Sequence, residues 1–453
     1  MEQPVTSGAV PRDVAEAVPQ DASGAVPQDA SGAVSRDASG LVPRDPSGAV
    51  PREPSGAALA PPVPPLTEPF LAAVAEAERL VAAADFITDE HDLAEGYDYL
   101  AGSIAACVQL ARVHGTTHPS FVASTGPTTK MALDNPDTLY YHANVEAGAE
   151  YLLTGTRGST VDLSFQVLKG DYTSTNVPGG DDAFDDRRLE IDADGSYRVR
   201  FGPPKEDPGP NYFVLGEGSS MLAVREVYGD WNAERKGTIR IERVDTAGTA
   251  PAEPDLAVLR RRYRVAGRML VQRIHTWFNF PKWFYLDLPV NTLTEPRLTP
   301  GGLATQYSSV GHFDLAEDQA LVVTVPKSDV PYQGFQLGSR WYISLDYVNH
   351  QTSLNSAQAQ VDPDGMIRLV ISARNPGIAN WVETTGRRRG IMQFRWQRTH
   401  RPIMPAEGPS IALVPIDEVP AHLPFHDTNR IDEDGWRARI AQRQRGFAER
   451  MLA

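Results

Sequence analysis

A single cysteine, Cys107, stands in the whole chain, so no intramolecular disulfide can form and no cysteine-based zinc site can be assembled. It lies in an apolar helical stretch, where a buried inert thiol is the ordinary outcome. Long hydrophobic runs are missing as well: none approaches the roughly 18 apolar residues that span a bilayer. The opening Met-Glu-Gln-Pro offers no basic segment followed by an apolar core, so no secretory signal is readable and a cytoplasmic protein is expected. Positive charge is in deficit, with a formal net charge of -15 and a pI near 5.2. That balance argues against nucleic-acid and anionic-membrane partners, which need clustered Lys and Arg to replace counterions. No Gly-x-Gly-x-x-Gly loop, no Gly-x-x-x-x-Gly-Lys-Ser/Thr, no Gly-x-Ser-x-Gly elbow and no His-Glu-x-x-His occurs, so nucleotide-dependent and zinc-peptidase readings lose their support.

What is present fits a globular chain. Its 453 residues, 41% hydrophobic and 22% charged, imply two or three domains with a sizeable core. Residues 1–65 repeat a Ser-Gly-Ala-Val-Pro-Arg-Asp unit, with serines at 23, 31, 39, 47 and 55. Proline and glycine at that density forbid a helix or central strand, and little large apolar surface offsets the chain entropy. The segment reads as a disordered tail, with a tether or partner-binding role as the alternative.

Periodicity divides the rest. Residues 66–120 carry two helical stripes, Phe70 to Val81 and Leu93 to Leu110, which form a hairpin. Residues 121–250 alternate in short segments separated by turn signals such as Asp194-Gly195, which predicts a first antiparallel β-sandwich. Residues 251–317 hold a long amphipathic helix, 254 to about 278, with Arg260, Arg261, Arg262 and Arg264 mostly off its apolar stripe. Those arginines read either as a solvated face or as an anion site. A dense aromatic run broken by Pro281 follows and either wedges helix against sheet or walls a pocket. Residues 318–415 form a second sandwich, including a strand at 341–347, and residues 416–453 end in a polar helix that packs on the core or on a second subunit of a homo-oligomer. The fold class expected is α+β, mainly β: two antiparallel jelly-roll-like sandwiches, an N-terminal helical hairpin, a long bridging helix and a C-terminal helix.

The second sandwich carries a distinctive string. It runs Trp341-Tyr-Ile-Ser-Leu-Asp346-Tyr347-Val-Asn-His350, Asn355-x-x-Gln358, Asp362-Pro-Asp-Gly365, Asn375-Pro-Gly-Ile-Ala-Asn380-Trp381 and Met392-Gln-Phe-Arg-Trp396. This resembles the bacterial domain of unknown function numbered 1214, in its actinobacterial form. Leu133-Asp134-Asn135-Pro136-Asp137-Thr138-Leu139-Tyr140 is similar to the Asn-x-Asp-Thr-Leu-Tyr signature of the companion domain numbered 1254. The resemblance spans residues 66–445 and implies a double β-sandwich with added helices; no reaction comes with it. It also implies a Gly-His-Arg before the last strand, where this chain has Gly386-Arg387-Arg388-Arg389-Gly390. The departure favours a structural or anion-contacting role there.

Two groups of residues are candidates for chemistry. Asp134, Asn135, Asp137 and Tyr140 either hold their own turn or form a polar floor for a ligand or divalent cation, although no complete calcium loop is present. If 341–350 is extended, alternation puts Asp346 and His350 on one face, where a carboxylate could orient an imidazole for general-base work. Asn355, Gln358, Asn380 and Trp381 supply amides and an aromatic platform suited to a polyhydroxylated ligand, or equally to a buried amide ladder. The run Asp181-Asp182-Ala-Phe-Asp185-Asp186 reads as an exposed acidic loop. The leading expectation is a metabolic enzyme acting on a small carbohydrate-like or lipid-like molecule, with Asp346 and His350 as acid and base. Against it stands a non-catalytic small-molecule-binding or assembly module. No metal is expected, and the cofactor is left open.

Overall fold

The computed structural model describes residues 65–452 apart from 114, 171–178 and 299–304, so the repeat tail lies outside the described residues save for its last residue. Helix α1 (Glu68–Ala82) starts after Thr67 with Pro69 in its first turn, where a missing N–H costs nothing. Helix α2 (Glu90–Val113) opens with Asp89 accepting the Asp92 N–H at 2.8 Å. The pair packs with helix α3 (Leu256–Phe284) around Ala77, Val81, Leu100, Cys107, Leu270 and Ile274. Helix α3 runs past the end expected at about residue 278 and through Pro281, taking in most of the aromatic run. Pro281 falls in the last turn, and its carbonyl accepts the Tyr285 N–H at 2.9 Å, so one lost bond does not end the helix.

Among the described residues nine strands precede α3: β1 (Val122–Thr125), β2 (Thr138–Asn144), β3 (Tyr151–Thr156), β4 (Asp162–Lys169), β5 (Gly179–Asp185), β6 (Ser196–Gly202), β7 (Tyr212–Val214), β8 (Ser219–Val227) and β9 (Thr238–Arg243). They form two sheets, β1-β2-β8-β4-β5 and β7-β6-β3-β9. The sheets enclose a core of alternate residues that includes Phe165, Val167 and Val224 from one and Tyr151, Val199 and Phe201 from the other. Alternation along each strand dictates this, because one face of each must leave water. The acidic run of 181–186 is not a free loop: it forms β5 and a 3-10 turn, and Asp185 and Asp186 are buried against Arg187, Arg157 and Arg398.

The second sandwich is built after α3 from β10 (Thr292–Leu293), β11 (Arg297–Leu298), β12 (Tyr307–Asp314), β13 (Gln319–Pro326), β14 (Tyr332–Gly338), β15 (Ser353–Asn355), β16 (Met366–Ser372), β17 (Trp381–Glu383), β18 (Arg389–Gln397) and β19 (Ser410–Pro415). One sheet runs β10-β12-β18-β14-β15, with β11 also on β12, and faces β17-β16-β13-β19. Phe335, Phe394 and Trp396 pack between them against Leu321, Val323 and Leu369. The protein is therefore α+β and mainly β, with two sandwiches and added helices.

A short helix α4 (His426–Asn429) and helix α5 (Glu433–Leu452) close the chain. Helix α5 packs back on the core, with Trp436 against Trp381 at 4.9 Å and Phe447 against Tyr347. Its polar face is not all solvated: Arg443 and Arg450 are buried, with their guanidiniums 4.5 and 4.3 Å from the Trp231 ring. Among the described residues no helix is long and apolar enough to cross a membrane.

Candidate functional site

The loop before β2 is drawn into the joint between the sandwiches. Ala132 and Leu133 both take positive φ, 59° and 49°, a conformation that side chains resist unless tertiary bonds hold it. Those bonds are present: the Leu133 N–H donates to the Tyr342 carbonyl at 2.6 Å and the Arg395 guanidinium to the Leu133 carbonyl at 2.6 Å. Asp134 accepts the Ser344 N–H at 3.1 Å and the Ser344 hydroxyl at 2.9 Å. Burial pushes its carboxyl pKa up, opposed by the charge of Lys130 and by those bonds. Asn135 donates to the Tyr332 hydroxyl at 3.0 Å, and Tyr140 accepts the Asn135 N–H at 2.8 Å. Asp137 accepts from Trp231 Nε1 and from the Tyr332 hydroxyl, each at 2.7 Å.

Asn355 reaches the same joint and donates to the Gly229 carbonyl at 2.8 Å. Gln358 sits beside it, its side-chain oxygen 3.4 Å from the Asn355 N–H. The joint thus gathers the buried Asp134, Asn135, Asp137 and Asn355 and the half-buried Tyr140, but as mutually satisfied groups rather than as the walls of a cavity. Asn380 and Trp381 lie elsewhere. Asn380 brackets Gln360, accepting its N–H at 2.8 Å and donating to its carbonyl at 2.7 Å, while Trp381 donates to the Ser372 carbonyl at 3.1 Å.

The Asp346 and His350 pair does not form. Residues 341–350 are turns with one isolated bridge, Gly338 to Ser344, not the strand that alternation required. The cause is competition for backbone groups. Asp134 takes the Ser344 N–H, Lys130 donates to the Ser344 and Leu345 carbonyls at 2.8 and 3.0 Å, and Tyr342 sits at φ 58°. Asp346 instead folds onto its own turn, accepting the Val348 and Asn349 N–H groups at 2.9 and 3.0 Å. His350 Nδ1 lies 2.9 Å from Glu383, at the surface.

A true cleft opens elsewhere, between α2, α3 and the outer face of the first sandwich. It has a volume of about 730 Å³, and Arg261, Arg262 and Arg268 of α3 stand on one wall. Leu110, Gly170, Ser220, Met221 and Met269 continue into an inner chamber of about 40 Å³, enough for about two or three waters. Cys107, Ser124, Met131, His142, Leu168 and Arg273 complete that chamber. Ser124 Oγ lies 3.0 Å from His142 Nδ1, and both are buried.

Arg273 is the unusual member. It is 3% exposed, and its Nη2 donates to the Thr129 and Lys130 carbonyls at 3.3 and 2.8 Å. Its Nε has no hydrogen-bond partner, and the side chain joins no ion pair among the described residues. A buried guanidinium without a counter-charge is costly, and an anion entering the chamber would relieve that cost. Sequence reasoning weighed the arginines at 260–264 and missed this one. The signal was legible: Arg273 falls on the face of Ala266, Leu270 and Trp277, the one charge inside that buried stripe.

No family model matches the sequence, and no curated protein matches it. Among solved structures the chain is similar to an uncharacterized protein from Burkholderia cenocepacia, with a TM-score of 0.69 and 27% identity over 78% of this chain and 97% of that one. A Vibrio parahaemolyticus protein aligns over 75% of this chain and 99% of its own at 12% identity, but a TM-score of 0.40 carries no argument. The paired sandwiches and their helices are thus an architecture shared with a bacterial protein that is itself described as uncharacterized.

Proposed function

We propose that this is a cytoplasmic, 1214-type protein that binds a small organic anion with an apolar body, a lipid-like carboxylate, in the cleft between α2, α3 and the first sandwich. The observation that carries the reading is Arg273, a buried guanidinium with no counter-charge among the described residues, at the floor of a solvent-reachable cleft. The size of the cleft falls in the range of small-ligand sites, about 300–1,000 Å³. Leu110, Met131, Leu168, Met221 and Met269 supply an adaptable apolar lining, which favours a lipid-like over a carbohydrate-like body. The arginines on the wall favour negative charge in the approaching molecule.

A second reading, catalysis, is favoured by the Ser124 and His142 contact. With its Nδ1 unprotonated, the imidazole could take the Ser124 proton as the hydroxyl attacked an acyl carbonyl, then return it to the departing alcohol. Water would release the acyl group in the same way.

Calorimetry of the full chain with decanoate tests the first reading. Saturable binding that drops at least tenfold in Arg273→Met supports it; equal affinity in that variant, or no heat at millimolar ligand, overturns it. Turnover of a decanoyl ester that disappears in Ser124→Ala with binding intact would select catalysis.

A further inference from the structure

At the opposite end of α2, about 30 Å away at 1.5 Å per residue, lies a second hollow. It has a volume of about 250 Å³ and is walled by the first turn of α2, by Arg340, and by the bend from Thr385 to Arg389. This is the place where the chain departs from the Gly-His-Arg pattern in favour of three consecutive arginines. With Arg340 they bring four guanidiniums to the hollow, against the carboxylates of Asp89 and Asp92.

These carboxylates are already engaged. Asp89 caps the Asp92 N–H, while Asp92 accepts the Thr88 N–H at 3.0 Å and the Thr88 hydroxyl at 2.8 Å and stands 3.9 Å from Arg389. Arg388 turns to Asp314 at 2.6 Å, and the other three guanidiniums are less fully used. Arg389 spends its Nη2 on the Phe86 carbonyl at 3.1 Å and Thr88 Oγ1 at 2.9 Å. Arg387 binds Glu95 at 2.8 Å and the Thr385 hydroxyl, and its buried Nε has no partner. Arg340 lies over the Phe86 ring at 5.8 Å, its buried Nε equally unpartnered. Burial, and then the like charge of Arg389, disfavour the protonated form of Arg340. The bend is strained too: Thr385, a β-branched residue, takes φ 53°, next to Gly386 at 78°. The crowded like charge is relieved by an anion accepting from several guanidiniums at once.

We propose that this hollow binds a small tetrahedral dianion, a phosphate held by Arg340, Arg387 and Arg389 at the N-terminal end of α2. The site stands on residues separate from the cleft and does not depend on its ligand. The phosphate is either free or carried as a monoester on a small organic body, which the remaining volume can accommodate.

Calorimetry of the full chain with inorganic phosphate and with glycerol phosphate, at constant ionic strength, tests this. Binding with a Kd below about 1 mM that weakens about tenfold to a hundredfold in Arg340→Gln is expected. Tighter binding of glycerol phosphate than of phosphate marks the monoester as the source, and equal binding marks the free ion. Absence of binding by both, or displacement by an equal concentration of chloride, overturns the proposal. Should Arg340→Gln fail to fold, Arg389→Gln carries the same expectation, and unchanged affinity in that variant rejects it.

Discussion

The hydroxyl of Tyr332, on the second sandwich, donates to the carboxylate of Asp137, on the loop leading into the first, at 2.7 Å and out of contact with solvent. This bond and the Trp231 bond to the other carboxylate oxygen make the joint between the sandwiches depend on one buried acid. Tyr332→Phe leaves that acid short of a donor while preserving packing. A loss of about 1–3 kcal/mol in urea unfolding is expected, and an unchanged midpoint would show that the joint does not rely on this bond.

Arg273→Met should separate binding from stability. Removing an uncompensated buried charge is neutral or stabilising, whereas removing a ligand's counter-charge costs affinity. We expect a thermal midpoint equal to or above that of the parent, together with at least tenfold weaker decanoate binding. A variant that melts lower and binds as before contradicts the assignment.

Asp162 makes stability depend on pH in an unusual direction. Burial raises its pKa from 3.8 to about 7, opposed by the charge of Arg398, while one carboxylate oxygen lacks a partner. A group with a raised folded-state pKa contributes stability that is fully present below its unfolded value and is lost as pH rises through about 7. The stability difference between parent and Asp162→Asn, measured by denaturant at several pH values, should shift toward the variant by a few kcal/mol between about pH 4 and 7 and level off above. A flat difference would place the proton elsewhere.

Gly96→Ala should destabilise despite the better helix propensity of alanine. A Cβ at this position would lie 2.3 Å from the Trp341 ring, which is itself fixed by donating from Nε1 to the Asp92 carbonyl at 2.9 Å. Overpacking of this kind costs about 1–3 kcal/mol, more than the roughly 1 kcal/mol that propensity returns. Thermal melts of the two proteins decide it.

Helices were legible where period and burial agree, as along Ala266, Leu270, Ile274 and Trp277. Strands were legible where large apolar residues alternate, as in Val323 and Val325 of β13. Strand β12 escaped because Ser308, Ser309, Gly311 and His312 give it no apolar rhythm. It is nonetheless central in its sheet, and Gly311 is required there because a Cβ would meet the Thr292 carbonyl at 1.9 Å. The polar residues that mark the 133–140 and 341–355 strings were visible, and the structure does bring several of them together. What they do there was not visible, because mutual hydrogen bonding across hundreds of residues decides whether such groups line a cavity or seal one. Arg273 differs from these: its place as the one charge inside the buried stripe of α3 was legible, whereas its lack of an ion-pair partner among the described residues depends on long-range packing and was not.

Arg443 and Arg450 have a bearing on how the molecule is made. Both come from the final helix, yet they fill the seam below Trp231, with Arg450 donating to the Pro136 carbonyl at 2.7 Å and Arg443 to Ser353 at 2.6 Å. Each sandwich can gather its own core as it emerges from the ribosome, but the clasp that fastens one to the other arrives only after both have been synthesised. A nascent chain stalled just short of that helix would hold two half-docked lobes, with Asp137 still waiting for its cationic surroundings.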